Sequence, residues 1–155
     1  MNLKIKKLHP GATVPKYATD GAACFDLHAV IEPALFEQTP RYTKPVTIRT
    51  GLAFEVPEGH VMLIFSRSGH GFNFDTRLAN GVGVIDSDYR GEVQVKLTRD
   101  PREELVPPIR FQHGDRIAQA MVLPIPRVAF ELVEELSDTQ RGAGGFGSTG
   151  QGGAA

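Results

Sequence analysis

Two carboxylates stand two residues apart in Asp86-Ser87-Asp88, followed at once by Tyr89 and Arg90, within the segment NGVGVIDSDYRG at 80–91. Val82–Ile85 reads as a strand and Gly91–Leu97 as its return partner, so residues 86–90 are expected to form the turn of a hairpin. A carboxylate at the end of a rigid strand can be held against a water molecule and take its proton, while Tyr89 offers a flat face for a sugar. Aspartates in turns also accept from backbone donors, which leaves a plain turn-forming role open for this pair. Ser66-Arg67-Ser68-Gly69 follows the apolar run Val61–Phe65, so a strand ends in a loop bearing a guanidinium, two hydroxyls and a glycine. An arginine fork grips phosphate oxygens, and Ser68 with the Gly69 N–H can donate to a neighbouring oxygen. A surface arginine beside a turn is the plainer alternative.

Other groups are less telling. Asp26 interrupts the apolar Cys24-Phe25-Asp26-Leu27, where a charge needs a partner or a metal-bound water unless its face turns outward. Gly114-Asp115-Arg116 leads as an ordinary turn into Ile117–Leu123, with Gln119 on a polar face. His9, His28, His60, His70 and His113 show no metal-ligand spacing and are expected at the surface or in turns. The end of the chain, RGAGGFGSTGQGGAA at 141–155, carries seven glycines and one large apolar side chain, Phe146. Its GxGxxG match lacks the strand and helix that pattern requires, and Ser148 stands where a phosphate-binding loop needs lysine. What survives is a cation at Arg141, hydroxyls at Ser148 and Thr149, bare N–H groups and an aromatic ring. That composition suits a mobile flap over a nucleotide's phosphates, or an inert solvated tail.

These groups need a scaffold, and 155 residues set the expectation of one domain. Gly and Pro, 17 and 11 in number, cut the apolar residues into segments too short for a helical bundle. Leu3 and Ile5 alternate with lysines, as Val93, Val95 and Leu97 alternate with Gln94 and Lys96, the period of half-buried strands. Ala23–Val30, Val46–Ile48, Leu52–Val56, Val61–Phe65, Val82–Ile85 and Ile117–Leu123 are further short runs between turns; in Val128–Leu136, Val128, Phe130 and Leu132 alternate while Leu132, Val133 and Leu136 also suit one helical face, and the segment is read as a strand. About nine strands fit an all-β, single-domain jelly roll over residues 1–140, with 141–155 as a flexible glycine-rich tail. The formal net charge of −1 gives no basic excess for binding a nucleic-acid polymer. No apolar run suits a membrane span or signal peptide, so a soluble, cytoplasmic protein is expected. Cys24, the single cysteine, excludes an internal disulfide and a cysteine-based zinc cluster.

Five segments together resemble the trimeric dUTP diphosphatase family, in the family's order and over nearly the whole chain: ATDGAACFDLHA (18–29), SRSG (66–69), NGVGVIDSDYRGEV (80–93), GDRIAQ (114–119) and RGAGGFGSTG (141–150). The resemblance implies a distorted, β-clip-like jelly roll, a homotrimer with active sites shared between subunits, and hydrolysis of dUTP to dUMP and pyrophosphate with Mg²⁺ on the triphosphate. Such a reaction keeps uracil out of DNA and supplies dUMP for thymidylate synthesis. By motif position, Asp86 would be the general base acting on the water that attacks the α-phosphorus, and Tyr89 would pack on the deoxyribose. Arg67, Ser68 and Gly69 would hold the phosphates, Gln119 would reach the phosphate chain, and Asp26 would hold Mg²⁺ through a water. Asn80 and the backbone around Val84, Ile85 and Gln94 would read the uracil edge. Arg141, Gly147 and Ser148 would bind the phosphate end, with Phe146 over the uracil. The sequence departs from the family after SRSG, where His70-Gly71-Phe72 replaces the usual leucine-alanine pair, and at Cys24, which replaces a glycine. A dCTP deaminase of the same fold would carry a glutamate-centred site instead of the DxDYRG segment, and a catalytically silent binding module would not need Asp86, Arg67 and Arg141 together.

Overall fold

The computed structural model describes residues 1–32, 44–100 and 108–145. In chain order the elements are β1 (Lys4–Lys7), β2 (Phe25–His28), β3 (Val46–Arg49), β4 (Leu52–Glu55), β5 (His60–Phe65), α1 (Ser68–Phe74), β6 (Thr76–Leu78), β7 (Gly83–Ile85), β8 (Gln94–Arg99) and β9 (Arg116–Pro124). All pairings are antiparallel, in sheets ordered β1-β4, β2-β9-β5-β7 and β3-β8-β6. The alternation in the sequence translates directly into facing: Phe25 and Leu27 of β2 are buried while Asp26 and His28 are half-buried, and Val95 and Leu97 of β8 are buried while Lys96 is exposed. Leu27, Met62 and Ala120 meet Ile48, Leu78 and Leu97 of the facing sheet in one core, to which Leu52 and Phe54 of β4 also belong. The result is a distorted jelly roll in which every sheet lends one face to the same interior.

Four expectations need correction. Val128–Leu136 is not a strand: Phe130 is 96% exposed and Leu132 100%. The ladder ends at Pro124; Ile125 N–H still donates to Gly59 O at 2.8 Å, and beyond it the segment pairs with no strand among the described residues. Its place in the count of strands goes instead to β6, a three-residue segment too short to show a period. The predicted hairpin also does not close, because β7 pairs with β5 and β8 lies between β3 and β6. Gly83 explains the choice: opposite Ile64 in the ladder, it has no side chain, and a Cβ there would lie 3.0 Å from that of Ile64. The loop expected at 66–69 passes at Ser68 into the short helix α1, closed by Asp75 in the left-handed conformation with its N–H on Gly71 O and His70 O. Finally, His70 is buried rather than at the surface. Its ring packs edge-on against Phe111, 5.1 Å between centroids, and this contact ties a glycine-containing helix to the core.

Candidate active site

The failure of β7 and the segment 92–94 to pair creates the first half of the site. β7 is an edge strand, and between it and the returning chain lies a cleft of about 410 Å³ lined by Val84, Ile85, Asp86, Tyr89, Glu92, Val93 and Gln94. On the β7 side of the cleft the edge strand carries peptide groups that no strand pairs with among the described residues. The far wall is anchored from behind. Val93 N–H donates to Leu52 O at 2.9 Å, Thr50 Oγ1 donates to Val93 O at 2.6 Å, and the Glu92 carboxylate accepts from Gly51 N–H at 2.8 Å and pairs with Arg49 Nε at 3.0 Å. Glu92 was missed as a site residue, although it stands inside the motif that carries Asp86.

At the rim, Asp86 is exposed and its carboxylate has no hydrogen bond or ion pair among the described residues. The turn that carries it is nevertheless fixed. Tyr89 N–H donates to Asp86 O at 3.2 Å, Arg90 Nη1 donates to Ser87 O at 2.7 Å and Tyr89 O at 3.0 Å, and Tyr89 Oη donates to Glu92 O at 3.1 Å. A carboxylate free to accept, on a turn that cannot wander, is suited to positioning a water. Gln94 is exposed beside it. Asn80 lies at the other end of β7, in the turn where Val82 N–H donates to Asn80 O at 2.8 Å, and is not among the residues that line the cleft.

The second half sits at the far end of β5. Asp26, Gln119 and Phe65 face one another in register across β2, β9 and β5, so one sheet face carries the row and Arg67 extends it two residues beyond Phe65. Asp26 Oδ1 accepts from Arg67 Nε at 3.1 Å, and its Oδ2 accepts from Arg116 Nη1 at 3.3 Å. Gln119 Nε2 donates to Ser66 O at 3.0 Å, which ties the start of the loop to β9. Ser68 and Gly69 are exposed at the head of α1, and Ser66, Arg67, Ser68, Gly71, Phe72 and Asp75 line a depression of about 370 Å³. The concentration of charge reaches its neighbours: burial and the nearby Asp26 raise the Cys24 thiol above its ordinary value, and burial lowers His28, with Arg116, Arg67 and Lys16 lowering it further against Asp26.

No group of three or more His, Cys, Asp or Glu among the described residues could cage a metal ion. Asp26, a single carboxylate already shared by two arginines, can accept from the hydration shell of a divalent cation carried by a ligand's phosphates, the usual habit of Mg²⁺. Arg141 is exposed, with Nε donating to Gly144 O at 2.7 Å, and touches neither half of the site. Phe146, Gly147 and Ser148 lie outside the described residues. One chain therefore holds its two half-sites apart. Ile85 pairs with Met62, so Asp86 and Arg67 stand at opposite ends of the β5-β7 pair, roughly 20 Å along the strands.

Comparison with known proteins identifies the family. The dUTPase family profile matches residues 11–150. The deoxyuridine 5'-triphosphate nucleotidohydrolase of Nautilia profundicola is 46% identical, over 97% of this chain and 100% of its own, and that of Helicobacter pylori strain 26695 is 41% identical over 97% of each. Among solved structures, the Staphylococcus bacteriophage 80alpha dUTPase with dUPNHPP superposes with a TM-score of 0.81 at 25% identity, covering 97% of this chain and 99% of the other.

Proposed function

The chain belongs to the dUTPase family and hydrolyses dUTP to dUMP and pyrophosphate, and we propose that it does so at a site shared between copies of the chain, by attack of water on the α-phosphorus. The observation that carries this reading is the cleft between Val84–Asp86 and Glu92–Gln94, with the free Asp86 carboxylate at its rim. A slot walled by peptide groups suits the edge of a uracil, since it can reject the methyl of thymine sterically and present the wrong donors to cytosine. Tyr89 stacks on the deoxyribose there, and Asp86 accepts the proton of the attacking water. Asn80 supports the turn into β7 from outside the cleft.

Arg67, Ser68 and Gly69 hold the phosphate chain, with Gln119 fixing the loop through Ser66 O. Because phosphoryl transfer asks mainly for alignment and charge neutralisation, a guanidinium braced by Asp26 is well suited to the task. Mg²⁺ on the triphosphate would supply further neutralisation of charge, and Asp26 would be the residue that holds its hydration shell. The separation of Asp86 from Arg67 supports a shared site, since a second copy must bring its own Arg67 loop to the Asp86 of the first. The exposed apolar side chains of Val128, Phe130, Leu132 and Leu136 support a homotrimer in which this arm is covered by neighbours. The tail from Arg141, with Phe146, Gly147 and Ser148, closes over the bound nucleotide and excludes water. Among the described residues no helix is long and apolar enough to cross a membrane. The reading includes a cytoplasmic location, supported by the nucleotide substrate and the single Cys24 thiol.

Product analysis tests the reading. The purified protein with Mg²⁺ is given dUTP, dCTP, dTTP and UTP separately, and monophosphate, pyrophosphate and ammonia are resolved. Formation of dUMP and pyrophosphate from dUTP alone is expected. Ammonia from dCTP, or no turnover of any nucleotide, overturns it.

A further inference from the structure

His70 plays no part in the reading above, and its surroundings are costly for a histidine. The residue is 6% exposed, its Nε2 lies 3.4 Å from Arg67 Nη1, and its Nδ1 is buried with no hydrogen-bond partner among the described residues. An apolar side chain of similar volume would fill the same space against Phe111 without an orphaned nitrogen. A guanidinium only donates, so the nitrogen facing Arg67 must be the acceptor. The ring proton is thereby left on Nδ1, the nitrogen without a partner. The ring thus adopts the tautomer that serves Arg67 and leaves its own donor unsatisfied.

The groups around the ring keep it neutral. Burial is the largest influence and holds its pKa at about 4; Arg67 comes next and disfavours the imidazolium, Asp115 ahead of β9 favours it, and Arg116 on β9 and Asp26 on β2 act less, the first against the imidazolium and the second for it. A neutral imidazole remains an acceptor toward Arg67, whereas an imidazolium would repel it.

We propose that His70 is a positioning residue for the phosphate clamp, its Nε2 accepting from Arg67 Nη1 while Asp26 accepts from Nε, so that the guanidinium is fixed at two points. The remaining three N–H donors of the fork are then left for a ligand in the depression that Arg67 lines together with Ser68 and Gly71. The proposal rests on the reading of Arg67 as a phosphate ligand. Without the second point, the guanidinium can pivot about its contact with Asp26, and a small misplacement of a clamp weakens binding of the whole triphosphate.

The experiment compares the native protein with His70→Leu, His70→Gln, Arg67→Ala and the His70→Leu/Arg67→Ala double variant. Steady-state hydrolysis of dUTP, binding of an imido analogue of dUTP and thermal unfolding are measured on each. His70→Leu is expected to raise KM and the analogue's Kd about tenfold, to leave kcat within about twofold, and not to lower Tm. His70→Gln, whose amide oxygen can accept from Arg67, is expected to recover KM to within about threefold of native. In the Arg67→Ala background, His70→Leu should add nothing. A native KM in His70→Leu overturns the proposal, as does the same loss in both backgrounds or failure of His70→Gln to recover. A native-like Arg67→Ala enzyme instead overturns the clamp reading itself, which separates the two failures. If the leucine variant does not fold, ¹⁵N NMR of the native imidazole decides: a neutral ring protonated on Nδ1 supports the proposal, and one protonated on Nε2 overturns it.

Discussion

Asp86 is an exposed carboxylate with no partner among the described residues, which is the condition a general base needs before substrate arrives. Asparagine keeps its shape and one acceptor oxygen but cannot take a proton at neutral pH. Asp86→Asn is therefore expected to bind the imido analogue of dUTP as the native protein does while losing turnover by a factor of about 10² or more. Equilibrium binding beside single-turnover kinetics measures both, and unchanged turnover removes Asp86 from its role. His70 makes a second, independent prediction, since burial lowers its pKa from 6.5 to about 4 in the folded chain. Between those values the unfolded chain binds the proton that the folded one refuses, so stability falls as pH falls through that window and is not lost further below it. Urea unfolding should show a steeper loss for the native protein than for His70→Leu over that range; parallel curves refute the assignment. Residue types made Asp86 and Arg67 legible in the sequence, because each stands at the end of an apolar run. The partners of Asp26 were not legible, since Arg67 is 41 positions away and Arg116 is 90. Only folding places them side by side.

The connection from β7 to β8 shows how an element converts pattern into a site. Alternation identified both strands, but alternation says which face is buried and nothing about which neighbour a strand selects. β7 selects β5 because Gly83 permits close approach to Ile64, and β8 is held between β3 and β6, so the two strands diverge and leave a cleft where a hairpin was expected. Gly91 controls the shape of that cleft from inside the turn. A Cβ at Gly91 would collide with the hydroxyl and ring of Tyr89. Gly91→Ala is thus expected to displace the ring, break its bond to Glu92 O, and raise KM for dUTP about tenfold. If Tyr89 is what excludes a 2′-hydroxyl, the ratio of kcat/KM for dUTP over UTP should fall in the same variant. Kinetics with both nucleotides checks this, and an unchanged ratio removes sugar choice from Tyr89. The helix α1 escaped sequence reading for a related reason: two of its seven residues are glycines, and burial of His70 against Phe111 supplies what intrinsic propensity does not.

For the whole molecule, the arm beyond Pro124 and the distance between the half-sites lead to the same expectation, an assembly that completes what one chain leaves open. Removing residues 141–155 should leave the assembly and its thermal stability intact, because the ladder ends at Pro124, yet lower kcat/KM by about 10²-fold. Light scattering and steady-state kinetics on the truncated protein measure the two effects. Full activity would exclude the tail as a lid, and a dissociated protein would give it a structural role instead. Period-two burial and side-chain chemistry are local properties, so the all-β class, most of the strands and the identities of the chemical groups were legible before any fold was known. Which strands pair, that Asp26 is shared by two arginines, that His70 is buried beside Arg67, and that Val128–Leu136 pairs with no strand among the described residues emerge only in the folded chain. Those outcomes depend on contacts between residues far apart in sequence, whose free energy exists only once the core has closed.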